Sequence, residues 1–151
     1  LDHEISATTV SKNHLPILKE LWEKLNIIHL NDSHYFKDHY ETFTFEKRCE
    51  KFNVIDDNNI RIETIEDEKT LIGYCIATIQ NGNGEIDSLF IEESFRTYGY
   101  GSQLLENAVT WLKDNNCTKI MVSVAEGHES VFAFYMKHKF YPRLTYLYLK
   151  D

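Results

Sequence analysis

Basic residues are scarce in this chain: 16 Lys and Arg stand against 24 Asp and Glu, for a formal net charge of -8. That balance disfavours nucleic acid as a partner, because a polyphosphate wants a basic surface. It favours cationic small molecules by attraction over a Debye length of ~8–10 Å, although acidity also serves solubility alone. Cysteine is sparse too. Cys49, Cys75 and Cys117 stand far apart with no CxxC, which argues against a disulfide framework or a zinc site and fits a reducing compartment. No apolar run reaches the ~18–20 residues of a membrane span. The opening LDHEISATTVSK lacks the basic and apolar pattern of an export signal, so a cytoplasmic protein with no membrane partner is expected. With two Pro and six Gly, no linker, repeat or low-complexity segment stands out. His29, His34, His39 and His128 match no H-E-x-x-H spacing, so no metal is expected.

What is present suits one folded domain over residues 1–151. The chain is 42% hydrophobic and 13% aromatic, and a chain of this size buries roughly 70% of its unfolded surface. EISATTV reads as a first strand. NHLPILKELWEKLNIIHL carries Leu15, Leu18, Trp22, Leu25 and Ile28 at helical spacing, with Asn13 as its cap, although Pro16 restricts where the first turn begins. SHYFKDHYETFTFEKRCEKF is a second, less regular helical stretch. IRIETIE and TLIGYCIATIQ are strands joined by a charged turn, and NGNG signals a hairpin into EIDSLFI. Leu104, Leu105, Ala108, Val109 and Leu112 then form one apolar helical face. KIMVSVA is a fifth strand, ESVFAFYMKHKF a short helix and RLTYLYLK a last strand. The middle strands pair antiparallel through hairpins, and the β-α-β unit over 85–124 pairs in parallel by a right-handed crossover.

The informative stretch is Arg96-Thr97-Tyr98-Gly99-Tyr100-Gly101. A loop entering a helix presents unpaired N–H groups, and the helix dipole adds roughly half a positive charge there. Glycine lets an anion approach the backbone, and Arg96 adds a forked donor. Together these describe a phosphate or pyrophosphate cradle; the bland reading is a glycine loop without a ligand. A P-loop would need Gly-Lys-Ser/Thr, where this chain has Gly101-Ser102-Gln103. A dinucleotide fingerprint fails at Leu104 and lacks the acidic residue for the ribose.

Arg96-x-x-Gly99-x-Gly101, after the strand LFI and before an apolar helix, resembles the R/Q-x-x-G-x-G/A loop of the GNAT superfamily of N-acetyltransferases. The segments IDSLFI…SFRTYGYGSQLL and VSVAEGHESVFAFYMKHKF look most like its diamine/polyamine branch. His128, Val131 and Lys139 stand where that family usually has Asn, Ala and Gly. The resemblance implies an α/β (α+β) fold: a mixed, mostly antiparallel sheet of about six to seven strands flanked by about four helices, with the fourth and fifth strands splayed. It implies acetyl-CoA as cofactor and direct acetyl transfer to a primary amine of a small acceptor. The net acidity tilts that acceptor toward a polyamine or aminoglycoside. Protein or peptide N-termini and lysines are the alternative acceptors, and a non-catalytic acyl-CoA sensor is the rival class. Dimers are common in the family, and the final strand could supply an edge for a homodimer.

By the same resemblance, coenzyme would lie against Leu89, Phe90 and Ile91, the loop Arg96, Thr97, Tyr98, Gly99, Tyr100, Gly101 and Ser102, and His128 and Tyr135. Tyr135 matches the family's general acid. A phenol (pKa about 10) is ~1.5 units weaker than a thiol, so the tyrosine would chiefly donate a hydrogen bond to sulfur. Asp87 is the first candidate for the base, with Glu85 on its face as a like charge able to raise its pKa. Glu126 is a further candidate for base or acceptor contact. Tyr35 and Phe36, with Tyr40, Phe43 and Phe45, are expected either to line an acceptor pocket for a cation or to pack as core.

Overall fold

The computed structural model describes residues 4–151. Five strands form one sheet in the order β1-β2-β3-β4-β5: Ile5–Val10, Ile60–Asp67, Thr70–Gln80, Asn83–Ile91 and Lys119–Val122. The first three junctions are antiparallel and β4 pairs with β5 in parallel. Five helices accompany them: α1 Lys19–Asp32, α2 Lys37–Thr42, α3 Phe45–Asn53, α4 Tyr100–Asp114 and α5 Phe132–Lys137. Two apolar clusters give three layers. On one face Leu18, Trp22, Phe45 and Phe52 pack on Ile62, Tyr74, Ile76 and Phe90. On the other, Leu104, Leu105, Ala108 and Leu112 of α4 pack on Ile65, Cys75, Ala77, Ile86 and Ile91. No helix among the described residues is long and apolar enough to cross a membrane.

The Asn81-Gly82 hairpin is built as the dipeptide dictates, with φ of 53° and 76° at its two central residues, the left-handed pair of a type I′ turn. Elsewhere three expectations need correcting. Residues 12–18 form a 3-10 turn containing Pro16, and α1 begins only at Lys19. Asn13 therefore caps no α-helix; a proline ring crowds the preceding turn and favours a tight lead-in. The second helical stretch is split in two, because Thr44 Oγ1 accepts Lys47 N–H at 3.1 Å and caps a new helix. The sheet also has five strands rather than six or seven. Residues 141–151 carry neither helix nor strand, and Leu147 and Leu149 are 94% and 92% exposed. The Tyr-Leu alternation has strand propensity but gains no sheet neighbour. Its end is tied instead by Lys150, which bonds the Tyr35 carbonyl and Asp38 and lies 5.5 Å from the Phe36 ring centre.

The feature that shapes the site is where β4 and β5 stop pairing. Their register runs from Asn83↔Lys119 to Ile86↔Val122 and ends there, although β4 continues to Ile91. At the same point β4 bulges: Ile76 faces Ser88 and Ala77 faces Ile86, leaving Asp87 as the extra residue. A bulge bends its strand and turns consecutive side chains to one face. Ile86 and Ile91 accordingly sit in the α4 cluster, whereas Phe90 sits in the α1/α3 cluster. The α4 cluster depends on Leu112, which is fully buried. A Cβ on Gly84 would meet it at 2.7 Å. Leu112→Ala is expected to cost about 2–5 kcal/mol in urea denaturation.

Candidate active site

A cleft of ≈ 580 Å³ opens where the two strands part. Ile86–Ile91 form one wall and Val122–Ala125 the other. The loop and first turn of α4 contribute Arg96, Thr97, Gly99, Tyr100, Gly101 and Ser102; α1, α2 and the residue after α2 contribute Trp22, Asn26, His29, Tyr40 and Phe43. His128 and Tyr135 lie along it. Tyr98 is expected in the loop but points to solvent at 69% exposure and is not a lining residue.

The loop before α4 has the features that suit an anion. Gly99 is the residue before α4 and has φ 87°, a left-handed conformation that side chains resist. Thr97 shares that region at φ 73°. Gly101 is different. It lies in the first turn of α4, and a Cβ there would meet Phe134 at 3.6 Å, an ordinary contact. Nothing in the protein's own packing requires glycine, and helix propensity disfavours it by about 1 kcal/mol relative to alanine. Its bare backbone leaves room beside the free N–H groups of the 15-residue helix α4, where the dipole favours negative charge. Arg96 is anchored beside this turn: Nε donates to the Ile91 carbonyl at 2.8 Å and the guanidinium lies 5.4 Å from the Phe90 ring centre. Ser102 Oγ meets His138 Nε2 at 2.9 Å and ties α4 to the end of α5.

Asp87 lies on the cleft wall with a side chain of 0% exposure. Lys51 Nζ donates to its Oδ1 at 2.5 Å and Thr78 Oγ1 to its Oδ2 at 2.5 Å. Arg48 donates to its carbonyl at 2.7 Å. Lys51 also reaches Glu85 at 2.9 Å. Burial raises the Asp87 pKa, against the lowering by Lys51 and Thr78, and Glu85 adds only a lesser upward push. The main cause is therefore desolvation rather than the like-charge pair that the sequence suggests. Burial works to lower the Lys51 pKa, but its contacts with Asp87 and Glu85 outweigh this and raise it. Glu85 is outside the cleft lining. Arg48, Lys51 and Thr78 escaped the sequence reading because their partnership with β4 is non-local. The i, i+3 spacing of Arg48 and Lys51 on α3 is the one local sign of a basic face.

Glu126 is engaged as well. It accepts Ser33 Oγ at 2.6 Å, His34 N–H at 2.7 Å and Tyr35 N–H at 3.3 Å, and these bonds, Ser33's first, hold its carboxyl below the usual range. It fastens the α1–α2 loop to the turn after β5. Tyr35 is 68% exposed, and Phe36 faces Tyr148 at 6.5 Å. Neither Tyr35 nor Phe36 lines the cleft; Trp22, Tyr40 and Phe43 do, while Phe45 is core. Tyr135 packs between Phe134 and Phe140, at 5.1 and 6.0 Å between ring centres. Burial first, and Cys75 second, push its phenol well above the ordinary value.

Of the histidines, His29 and His128 meet on the cleft lining. The rings of His29 and His128 lie 5.0 Å apart, edge to face, and His29 Nδ1 is buried without a partner. Burial, then His128, lower the His29 pKa to about 4 against the upward pull of Asp32. A lowered folded-state value means that the neutral ring stabilises the fold above pH 6.5. That contribution, ~3 kcal/mol, fades as the pH falls toward 4. In urea denaturation across that window, His29→Gln should therefore lose less stability than the parent protein.

The site is thus an open-edged cleft between parting parallel strands, with the uncapped start of α4 on its lining. The model of the Acetyltransferase (GNAT) family matches residues 18–140, and the chain belongs to that family. It is an acetyl-CoA-dependent N-acetyltransferase. Streptothricin acetyltransferase A of Bacillus subtilis (strain 168) is 29% identical over 118 residues, spanning 70% of this chain and 68% of that protein. An aminoglycoside N-acetyltransferase, AAC(6')-Iy, in complex with CoA superposes with a TM-score of 0.67 at 14% identity, covering 100% of this chain and 97% of that one. PaiA N-acetyltransferase from Thermoplasma acidophilum in complex with coenzyme A gives 0.65 at 19% identity, with 89% and 88% covered. At such identities the structural likenesses show the fold.

The residues present fit the coenzyme. The glycine at 101 has no packing reason, α4 offers free N–H groups beside it, and β4 has an unpaired edge from Asp87 onward.

Proposed function

We propose that the chain acetylates a primary amine of a small cationic acceptor, of the aminoglycoside or streptothricin kind. The observation that carries this reading is a cleft lined both by the start of α4 and by the aromatic side chains Trp22, Tyr40 and Phe43. Aromatic faces attract cations, and the net charge of -8 draws them in. The name of the Bacillus subtilis relative supports the same class, whereas a polyamine acceptor rests on the sequence resemblance and the net acidity.

When bound, acetyl-CoA supplies an activated acetyl thioester. The amides of residues 97–102 would hold its pyrophosphate, and the open edge of β4 from Leu89 to Ile91 would orient its arm. Tyr135 keeps its proton at neutral pH, since burial raises its pKa, and donates a hydrogen bond to the sulfur as charge develops there. Tyr135→Phe is expected to lower kcat by about 10²-fold while leaving coenzyme affinity within about twofold.

The test is thiol release from acetyl-CoA with a panel of streptothricin, aminoglycosides, spermidine and a peptide with a free N-terminus. Turnover that is highest with the compact polycations supports the reading. Preference for the peptide, or coenzyme binding without turnover on any amine, contradicts it.

A further inference from the structure

Asp87 is poorly placed to take a proton from the acceptor, because its side chain is 0% exposed and each oxygen already accepts a bond at 2.5 Å, from Lys51 and from Thr78. Glu126 is committed to Ser33 and the backbone of His34 and Tyr35. The cleft nevertheless contains a group with a free nitrogen. His128 lies on the lining, and its Nδ1 is 3.1 Å from Asp32 Oδ2. With Nδ1–H donated to that carboxylate, Nε2 is left as the ring's acceptor nitrogen.

The arrangement is built rather than incidental. Three consecutive residues of the turn after β5 dock on the end of α1. Glu126 binds the loop from Ser33 to Tyr35. Gly127, at φ 89°, comes so close that a Cβ would sit 2.1 Å from the Asp32 carbonyl oxygen. His128 then meets the Asp32 side chain. Only glycine at 127 allows that approach, and the approach sets the imidazole against its carboxylate. His29, one turn before Asp32, places a ring against His128.

We infer that His128, oriented by Asp32, is the group that takes the proton from the acceptor amine, with Asp32 as its positioning residue. This rests on the reading of the cleft as the place of acetyl transfer to an amine. In the step, the amine lone pair forms a C–N bond to the thioester carbonyl carbon. The C–S bond breaks with its electron pair on sulfur. The proton leaving nitrogen goes to His128 Nε2, and the sulfur is satisfied by the Tyr135 hydroxyl or by solvent. The resulting imidazolium is stabilised by Asp32. The ionisable groups around His128 are Asp32 and His29 from α1, Tyr40 of α2 against His29, and Glu126 and Glu129 of its own turn.

The experiment is the pH dependence of kcat/KM for the parent protein, His128→Asn, His128→Ala and Asp32→Asn, with the best amine of the panel. Coenzyme A affinity is measured alongside by calorimetry. A histidine base gives the parent an ionisation between pH 5 and 8. His128→Asn should lose that ionisation and about 10²-fold of kcat, with coenzyme affinity unchanged, and added imidazole should restore activity to His128→Ala. Asp32→Asn should lose about tenfold and shift the same ionisation downward, as removal of a negative neighbour requires. If His128→Asn keeps the ionisation and loses coenzyme affinity instead, His128 holds the coenzyme arm and the inference is overturned. Failure of the parent to turn over any amine overturns the acceptor reading, and this inference with it.

Discussion

Gly101→Glu is expected to stabilise the protein while abolishing coenzyme binding. The position is helical, in the first turn of α4, and a side chain there meets only ordinary contacts. Removing glycine from a helix gains up to about 1 kcal/mol, and a carboxylate at a helix start gains a further 0.3–1 kcal/mol or so. The same carboxylate occupies and neutralises the anion site. Losing two charge-assisted hydrogen bonds of about 1.5–3 kcal/mol each corresponds to at least 10²-fold in coenzyme affinity. Thermal denaturation and calorimetry on one preparation check both signs. A melting temperature that falls, or coenzyme affinity that survives, contradicts the role given to the bare backbone at 101.

Lys51→Met is expected to destabilise the fold by about 2–3 kcal/mol at pH 7.5, the low end for a broken buried pair because Lys51 is only partly buried. Asp87 has its pKa raised in the fold from the ordinary 3.8. Its ionisation therefore opposes folding, and that cost grows as the pH rises through the folded-state value. Lys51 moderates the cost; its own raised value means its contribution persists below pH 10.5 and is lost only at still higher pH. Without Lys51 the carboxylate is left buried with Thr78 and the more distant Arg48, whose Nη2 is 3.7 Å away. The loss should shrink at pH 4, where Asp87 is protonated more readily. Asp87→Asn added to Lys51→Met should recover most of the stability at pH 7.5. Urea denaturation of the parent protein and the two variants at both pH values measures this. Equal losses at the two pH values, or no recovery in the double variant, would show that the pair is not coupled as the distances indicate.

Features carried by local chemistry were legible in the sequence. The strand TLIGYCIATIQ spans Thr70–Gln80 as read, and Asn-Gly sets the hairpin that follows. The apolar face of Leu104, Leu105, Ala108 and Leu112 marks α4, and the glycine before it takes the left-handed conformation at its start. Pro16 restricts where α1 begins, as the sequence indicates, and its effect is a full 3-10 lead-in. Thr44 followed by Glu46 is a local helix-start signal that the aromatic-rich stretch hides. The rest depends on contacts between distant segments. Lys51 and Asp87 are 36 residues apart in the chain, and Asp32 and His128 are 96 apart. No periodicity records such a pairing. The same is true of Tyr35 and Phe36, whose aromatic character suits a pocket but whose exposure is decided by the Glu126 contacts that hold their loop. The stretch 143–150 shows the converse: strand propensity alone leaves it exposed when no strand lies beside it.

The most direct measurement is a crystal structure with coenzyme A bound. The account predicts the pyrophosphate within hydrogen-bonding distance of the amides of residues 97–102, and the arm between Leu89–Ile91 and Ser123–Ala125, ending near Tyr135. Pyrophosphate bound away from the start of α4, or an arm that leaves the gap between β4 and β5 empty, would contradict it.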